Sequence, residues 1–251
     1  MAMISISVVS HGQINLIENL LHDIANNCQN MVVEIILTLN LSEELPFAED
    51  LFDFPIKVIR NSMPMGFASN HNQAFRHAVG KFFCVINPDI RLDGNPFLPL
   101  IDCLKNISTG VAAPVVVDKF GTIEDSARFF PTPFKIVCKA LGKCKGSDYV
   151  IKCEPIYPDW AGGMFLLFPR CIYEKLGGFD QRYFLYYEDV DICARLKLLG
   201  YDVVVTPLAS VTHHAQRSSH RNLKYLVWHI RSMTRFFVSP VFWRVQWHKW
   251  I

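Results

Sequence analysis

Two patterns of apolar residues alternate along this chain, short continuous runs and longer stretches with helical spacing. The runs are rich in β-branched residues and predict strands over residues 4–10, 32–39, 56–60, 81–86 and 110–117. The helically spaced stretches predict helices over residues 14–27, 69–80 and 96–106. Strands that alternate with helices indicate parallel strands, and continuously apolar strands indicate that both faces of the sheet are covered. The sequence therefore predicts an α/β fold with a doubly wound, mostly parallel central sheet.

The second half of the chain continues this pattern after an irregular stretch. Residues 118–158 contain several prolines and predict surface loop or a small excursion from the sheet. The pattern then predicts a strand over 159–170, helices over 170–180 and 188–200, a strand over 201–207 and a long amphipathic helix over 219–238. We expect the large apolar side chains of this last helix to pack on the sheet, namely Leu223, Leu226, Val227, Ile230 and Phe237.

Composition narrows the class of protein. Of 251 residues, 51% are hydrophobic and 19% are charged, which suits a well-packed globular core. The net charge of +2 indicates no polyanionic partner, and we expect no binding to nucleic acid. The eight cysteines include no CxxC pair and the N-terminus has no signal-peptide pattern, so we expect reduced thiols in a cytoplasmic protein. No apolar stretch reaches the roughly 18 residues of a spanning helix, so membrane contact would come from one side.

The apolar run over 81–86 ends abruptly at Asn87-Pro88-Asp89. Asparagine, proline and aspartate are common in turns, so a simple turn is one interpretation. The other interpretation places Asp89 at the carboxyl edge of the sheet, where open α/β proteins bind their ligands.

A cluster of acids stands at the start of the helix predicted over 188–200, directly after five residues rich in tyrosine and phenylalanine. Acids in a first turn stabilise a helix, and Asp191 is spaced to pair with Arg195. Glu188 and Asp189 suit a different purpose, since aromatic rings can stack on a sugar while a carboxylate takes a proton from a hydroxyl.

Two further clusters follow predicted strands. Gly66 and Asn70 lie in the stretch "MGFASNHNQAF" near a helix N-terminus, where they could face a phosphate or a base, although both residue types are also ordinary helix caps. His213 and His214 follow a strand, and neighbouring strand residues point to opposite sides, so at most one of them faces a given site. Arg217 comes shortly after them and could face an oxyanion.

In this order the motifs resemble those of family 2 glycosyltransferases with the GT-A fold, closest to the rhamnosyltransferase-like branch that builds bacterial surface polysaccharide. The matching stretches include "ISVVSHGQ", "GFASNHNQAF", "INPDIRLDG", "DWAGGMFLLFPR" and "LGGFDQRYFLYYEDVDICARLKLLGY". They span nearly the whole chain, and the stretch over 176–201 is the most specific. The resemblance implies a glycosyltransferase domain over 1–218, with a nucleotide-sugar half over about 1–117 and an acceptor half over about 118–218.

The resemblance also implies roles for the acids and histidines. Asp89 would be the final acid of a DXD-type motif, here in the form NPD, and would bind Mg²⁺ or Mn²⁺ on the diphosphate of the donor. His213 would complete the metal site. Asp189 would be the general base, and Glu188 beside it would position the acceptor.

Other positions are implied to bind substrates. The nucleotide-sugar would contact Ser10, Asn40, Gly66, Asn70 and Arg217. The acceptor would contact Asp159, Trp160 and Tyr187. The chain departs from the family pattern in two places, because Asn87 stands where the first acid of the DXD motif would be and Leu39 stands where the acid of a "DN-S-D" stretch would be.

The function that follows is inverting transfer of a sugar, with rhamnose suggested by the branch. The donor would be dTDP- or UDP-linked, and the acceptor a saccharide or lipid-linked saccharide in O-antigen-like synthesis. Two alternatives stay open, a nucleotidyltransferase and a non-catalytic sugar- or nucleotide-binding protein on the same fold. Against the former, the first strand is not followed by a glycine-rich, basic phosphate loop.

The C-terminal extension, residues 219–251, differs in character from the rest. No acidic residue follows Asp202, and four of the five tryptophans lie after it. The basic, tryptophan-rich residues 240–251 suit the interface of a membrane, and core packing and a dimer contact are the alternatives. We therefore expect a cytoplasmic protein with peripheral contact at the inner face of the plasma membrane.

Overall fold

The computed structural model of the protein describes residues 3–28, 30–143, 146–214 and 223–248. Its centre is an eight-stranded sheet in the order β3-β2-β1-β4-β9-β6-β10-β5. The strands are β1 (Ile4–Ser10), β2 (Val32–Leu39), β3 (Ile56–Arg60), β4 (Phe82–Ile86), β5 (Ile90–Arg91), β6 (Thr109–Asp118), β9 (Phe165–Pro169) and β10 (Asp202–His213). A small second sheet pairs β7 (Ala127–Arg128) with β8 (Trp160–Ala161).

Most neighbours in the large sheet are parallel, as predicted. Strand β1 pairs in parallel with β2 and β4, and β6 pairs in parallel with β10. Strand β9 comes from the second half of the chain and runs antiparallel between β4 and β6, which both come from the first half. The central strands are buried on both faces, as the neighbouring residues Val85 and Ile86 of β4 illustrate, and this explains their continuously apolar sequences.

Eight helices are described. They are α1 (Ile14–Asn27), α2 (Phe67–Phe75), α3 (Phe97–Cys103), α4 (Pro133–Ala140), α5 (Arg170–Lys175), α6 (Glu188–Leu198), α7 (Leu223–Val238) and α8 (Pro240–His248). Helix α2 begins and ends earlier than the predicted 69–80. It stops before Val79 because the backbone N–H of that residue donates to Glu34 Oε1 at 2.8 Å, and the N–H of Gly80 donates to Ser5 Oγ at 2.8 Å.

Strand β10 is longer than the predicted 201–207. Its register against β6 shifts between Thr206 and Ser210, which lets the strand continue past Pro207. His213 is therefore the last residue of the strand, where it pairs with Ile90 of β5. This pairing brings the end of β10 next to the NPD segment.

The prediction for the long C-terminal helix was wrong about its orientation. Helix α7 turns Ser232 and Phe236 inward, while Leu223, Leu226, Val227 and Ile230 are exposed; Phe237 is partly buried against the core. Helix α8 packs beside α6 and buries Phe242 and Val245. Within the described ranges, no helix combines the length and apolar character needed to cross a bilayer.

Candidate active site

Two clefts open at the side of the sheet where β1 and β4 end. The smaller cleft, of about 380 Å³, is lined by residues that follow β1, β2 and β4, including Asn40 after β2 and Asp89 after β4, and by the start of α2. The larger cleft, of about 960 Å³, is lined by α4, the start of α6 and the start of α7, and contains Glu188 and Asp189. Tyr225 of α7 lines both clefts, so the two are neighbours.

Asp89 and His213 meet at the edge of the sheet. Asp89 Oδ2 lies 3.2 Å from His213 Nε2, and the backbone oxygen of Asp89 accepts from the N–H of His214 at 2.8 Å. Asp89 Oδ1 is buried and has no hydrogen-bond partner among the described residues. His213, at the end of β10, is thus the histidine of the pair that lies beside Asp89, while His214 is exposed.

Glu124 completes this group, although it was not among the predicted site residues. Its Oε2 lies 2.9 Å from His213 Nδ1, so the imidazole is held between two carboxylates. Burial lowers the pKa of His213, but the hydrogen bonds and negative charges of Asp89 and Glu124 outweigh burial and raise this pKa to about 9. Glu124 fixes the orientation of the ring and leaves Nε2 facing Asp89.

The residues around Asp89 suit a divalent cation whose remaining ligands come from the substrate. In the described part of the chain, no three histidine, cysteine or carboxylate side chains are arranged as a ready-made metal centre. Mg²⁺ at phosphate-transfer sites is commonly held by one or two carboxylates together with phosphates and water. The unpartnered Oδ1 of Asp89 suits such a cation directly, and Nε2 of His213 becomes a donor when cation binding displaces its proton.

A network of three asparagine side chains shapes the smaller cleft. Asn61 Nδ2 donates to Asn40 Oδ1 at 2.9 Å and to Asn70 Oδ1 at 2.7 Å. Both Asn40 and Asn70 then donate to the carbonyl oxygen of Met65, and the N–H of Met65 donates back to Asn40 Oδ1. Asn40 and Asn70 both line the cleft, as their predicted role requires, and the network holds the segment that leads to α2.

Ser10 and Gly66 support the same cleft. The Ser10 hydroxyl is buried and donates to Glu43 Oε1 at 2.9 Å; it is not among the described residues that line the cleft. Gly66 does line it and precedes α2. A Cβ atom at Gly66 would stand 2.5 Å from the carbonyl oxygen of Phe184, so only glycine lets the two segments approach this closely. Arg217 lies outside the described residues.

Two consecutive tyrosines bring the acids into the larger cleft. Tyr186 and Tyr187 have φ values of 67° and 68°, in the left-handed region that bulky residues rarely occupy. Glu188 and Asp189 follow them as the first residues of α6. Such backbone conformations persist only where the surrounding structure enforces them, and they concentrate at functional sites.

The two acids have different environments. Asp189 Oδ2 accepts from the N–H of Gly163 at 3.0 Å, and Asp189 Oδ1 accepts from the N–H of Val190 at 2.8 Å. Glu188 Oε2 is buried and has no partner within the described ranges. Burial raises the pKa of both carboxyls. For Asp189, the backbone N–H donors oppose this increase. For Glu188, the negative charge of Asp189 raises the pKa further, well above its usual range. Asp189 is therefore the acid that ionises first.

Two of the three predicted acceptor residues line the larger cleft. Trp160 and Tyr187 line the larger cleft, and the indole N–H of Trp160 donates to the carbonyl oxygen of Phe129 at 3.1 Å. Asp159 is not among the described lining residues; its Oδ2 accepts from the N–H of Phe130 at 2.8 Å, and its role in binding stays a prediction. The predicted pair of Asp191 and Arg195 is confirmed, with a nitrogen–oxygen distance of 2.7 Å.

Comparison of the sequence with known proteins matches it to one family model and to named relatives. The family model described as glycosyl transferase family 2 matches residues 5–154. The rhamnosyltransferase WbbL of Escherichia coli (strain K12) is 28% identical over 249 residues, which cover 93% of this chain and 92% of that protein. The N-acetylglucosaminyl-diphospho-decaprenol L-rhamnosyltransferase of Mycobacterium tuberculosis (strain ATCC 25618 / H37Rv) is 30% identical over 154 residues, 57% of this chain and 50% of that protein.

A solved structure extends the likeness to the fold. The mannosyltransferase PcManGT from Pyrobaculum calidifontis, in complex with GDP-Man and Mn²⁺, superposes with a TM-score of 0.62 at 19% identity. The superposition covers 93% of this chain and 64% of that one. The predicted GT-A arrangement of the sheet and its flanking helices is confirmed by this likeness.

Proposed function

The chain belongs to glycosyl transferase family 2, and we propose that it transfers rhamnose from a nucleotide-diphosphate donor to a lipid-linked saccharide with inversion at the anomeric carbon. The observation that carries this proposal is the pair of adjoining clefts. One contains Asp89, whose Oδ1 has no partner among the described residues, and the other contains the buried Glu188 and the partly buried Asp189.

The smaller cleft is the proposed donor site. Its walls hold Asn40, Gly66 and Asn70, the residues for which the family resemblance implies contacts to the nucleotide-sugar. Asp89 and His213 would hold Mg²⁺ or Mn²⁺ there, and Glu124 would keep the imidazole in place. A cation bound at this position supplies Lewis-acid stabilisation of the diphosphate leaving group. The names of the relatives favour a rhamnosyl donor, and we propose a dTDP or UDP linkage from the family resemblance.

The larger cleft is the proposed acceptor site. Trp160 and Tyr187 offer aromatic surfaces against which a sugar ring can stack. One relative is named for transfer to an N-acetylglucosaminyl-diphospho lipid, which supports a lipid-linked saccharide as the acceptor. Membership of the family and the lining of this cleft favour catalysis over a purely binding role.

Asp189 is the proposed general base. It carries the negative charge of the acid pair, and the N–H groups of Gly163 and Val190 hold its carboxylate in place. Asp189 takes the proton of the acceptor hydroxyl as the oxygen attacks the anomeric carbon from the face opposite the diphosphate. One displacement of this kind inverts the anomeric centre. Burial and the charge of Asp189 raise the pKa of Glu188 and favour its protonated form, which can donate a hydrogen bond to the acceptor.

The test is a transfer assay with the full chain. We expect dTDP-linked rhamnose, an N-acetylglucosaminyl-diphospho-lipid and Mn²⁺ to give a product with inverted anomeric configuration by NMR, and EDTA to remove the activity. Retention of configuration would disprove the mechanism. Donor binding with no turnover on any saccharide acceptor would favour the binding-protein alternative. A thermal-shift screen of UDP- and dTDP-sugars with Mn²⁺ identifies the donor independently, because a ligand raises the Tm of the state that binds it.

A further inference from the structure

The solvent side of α7 and α8 forms an apolar surface, which we call the outer face. On α7 it consists of Leu223, Leu226, Val227, Ile230 and Val238, all exposed, and on α8 of Trp243 and Trp247. The spacing of the α7 residues places them on one side of the helix, opposite the buried Ser232 and Phe236. The exposed fraction reaches 78% at Leu223 and 73% at Trp247, so these side chains are not accounted for by packing.

Charge around the outer face has one sign. Lys224 and Arg231 of α7 and Arg244 of α8 are exposed on the same two helices. No acidic residue follows Asp202 anywhere in the sequence. A surface that combines large apolar side chains, tryptophan and basic residues complements one that offers hydrocarbon beneath anionic groups.

We propose that the outer face docks on an anionic lipid bilayer, with α7 and α8 lying in the plane of the interface. A second copy of the chain fits less well, because a two-fold contact would place two copies of this surface, whose charged residues on α7 and α8 are all basic, against each other. The structure shifts the contact predicted for residues 240–251 mainly onto α7, because α8 turns Phe242 and Val245 inward.

Docking in this way would present the larger cleft to the membrane. Tyr225, Leu226 and His229 line that cleft, and Leu226 also belongs to the outer face. Helix α7 therefore has one edge in the acceptor cleft and one side toward lipid. This consequence rests on the proposed function, since it matters only for a lipid-linked acceptor, whereas the docking itself does not.

The experiment is co-sedimentation of the full chain with vesicles, without donor or acceptor. We expect binding to vesicles of phosphatidylglycerol and phosphatidylethanolamine, little binding to phosphatidylcholine alone, and weaker binding at high salt. The double variant V227S/I230S and the double variant W243S/W247S should each weaken binding at least about tenfold, because they remove apolar area from the interface. Each of R231Q and R244Q should weaken binding about fivefold, and only to anionic vesicles.

A matched control removes similar apolar area elsewhere. Ile107 and Leu208 are 91% and 74% exposed and lie outside α7 and α8, so I107S/L208S should bind vesicles like the wild type. Circular dichroism and thermal melting establish that each variant is folded. Negligible binding of the wild type to anionic vesicles would overturn the proposal, as would equal loss in the control. Self-association in light scattering that V227S/I230S abolishes, without lipid binding, would assign the outer face to a second copy instead. Either failure would leave transfer to a soluble saccharide unaffected, so it is distinguishable from failure of the proposed function.

Discussion

The smaller cleft and the larger cleft adjoin at Tyr225, and they differ in how their polar side chains are satisfied, apart from Asp89 Oδ1 in the smaller cleft, which also has no partner among the described residues. In the smaller cleft, Asn40, Asn61 and Asn70 satisfy one another and the backbone of Met65. In the larger cleft, Glu188 keeps a buried oxygen without a partner in the described part of the chain. The first arrangement stabilises the fold and is ready to receive a ligand, whereas the second costs stability.

Rough magnitudes support this contrast. A satisfied hydrogen bond contributes about 0.5–1.5 kcal/mol, whereas a bulky residue in a sparsely populated backbone region costs about 1–3 kcal/mol. The larger cleft contains two such residues, Tyr186 and Tyr187, in addition to the buried acid. Natural proteins accept costs of this kind where activity requires them, and we therefore expect the chemistry to depend most on the larger cleft.

The largest effect should come from the variant D189N. It removes the proposed base while keeping the shape and the acceptor atom for the N–H of Gly163, so transfer should fall about 10²–10⁴-fold while donor affinity stays unchanged. Single-turnover transfer and calorimetric donor binding measure the two quantities. The matched variant E188Q should reduce transfer much less, because burial already keeps Glu188 neutral. Equal losses in the two variants would remove the distinction between the acids.

The next effect concerns the one unsatisfied group of the smaller cleft. The variant D89N should abolish the Mn²⁺ dependence of donor binding, because it removes the anionic oxygen that fits the cation. The variant E124Q should weaken Mn²⁺ affinity by a smaller factor, about 10–100-fold, as expected for a residue that acts through His213. Calorimetry with the donor and with Mn²⁺ provides the readout.

A control for both variants lies on the same edge of the sheet. Asp93 is exposed and accepts from the Thr212 hydroxyl at 3.2 Å, so D93N removes a nearby carboxylate without touching the proposed site. It should bind donor and Mn²⁺ like the wild type. If D89N did so too, Asp89 would be a simple turn residue.

Removal of one side chain from the asparagine network should lower the free energy of unfolding. The variant N61A removes two side-chain hydrogen bonds and leaves the Asn70 oxygen buried without its donor, so the free energy of unfolding should fall by about 2–3 kcal/mol. Urea denaturation measures this change, and the donor KM should rise because the Met65 segment loosens. The exposed Asn19 of α1 offers a matched control, and N19A should leave both values unchanged. A neutral N61A would show that the smaller cleft does not owe its stability to the network.

Pattern and resemblance located residues of both clefts, Asp89 in the smaller one and Glu188 and Asp189 in the larger one. Continuous apolar runs located β1 to β4, and the end of β4 located Asp89 at the sheet edge. Those inferences succeed because an apolar run and its turn are local features of the sequence. Glu124 was missed because it lies in an irregular stretch and meets His213 across 89 positions of sequence.

The orientation of α7 was missed for a different physical reason. Helical spacing shows which residues share a face, but α7 carries apolar side chains on two faces, one with Phe236 and one with Leu226 and Ile230. Periodicity alone does not decide which of them turns inward. The left-handed tyrosines before α6 were equally invisible, since tyrosine rarely adopts that conformation and no glycine signals it.

The smallest effect, and the sharpest test of the contrast between the clefts, is a gain in stability. Burial and the charge of Asp189 raise the pKa of Glu188 well above the value of about 4.3 that a glutamate has in an unfolded chain. At a pH above about 4.3 the unfolded state therefore loses this proton more readily than the folded state, and the wild type loses stability as the pH rises. The side chain of the variant E188Q cannot ionise. Its Tm should therefore exceed that of the wild type at pH 7–8 by at least about 2–4 °C, because a change of about 1 kcal/mol in the free energy of unfolding shifts the Tm by that amount in a chain of this size. Near pH 4 both states of the wild type hold the proton, and the difference should vanish. Glu174 is an exposed glutamate on α5, and E174Q should give the same Tm as the wild type at both pH values. A lower Tm for E188Q at pH 7–8 would mean that Glu188 stabilises the fold, and the proposed opposition between the two clefts would then be wrong.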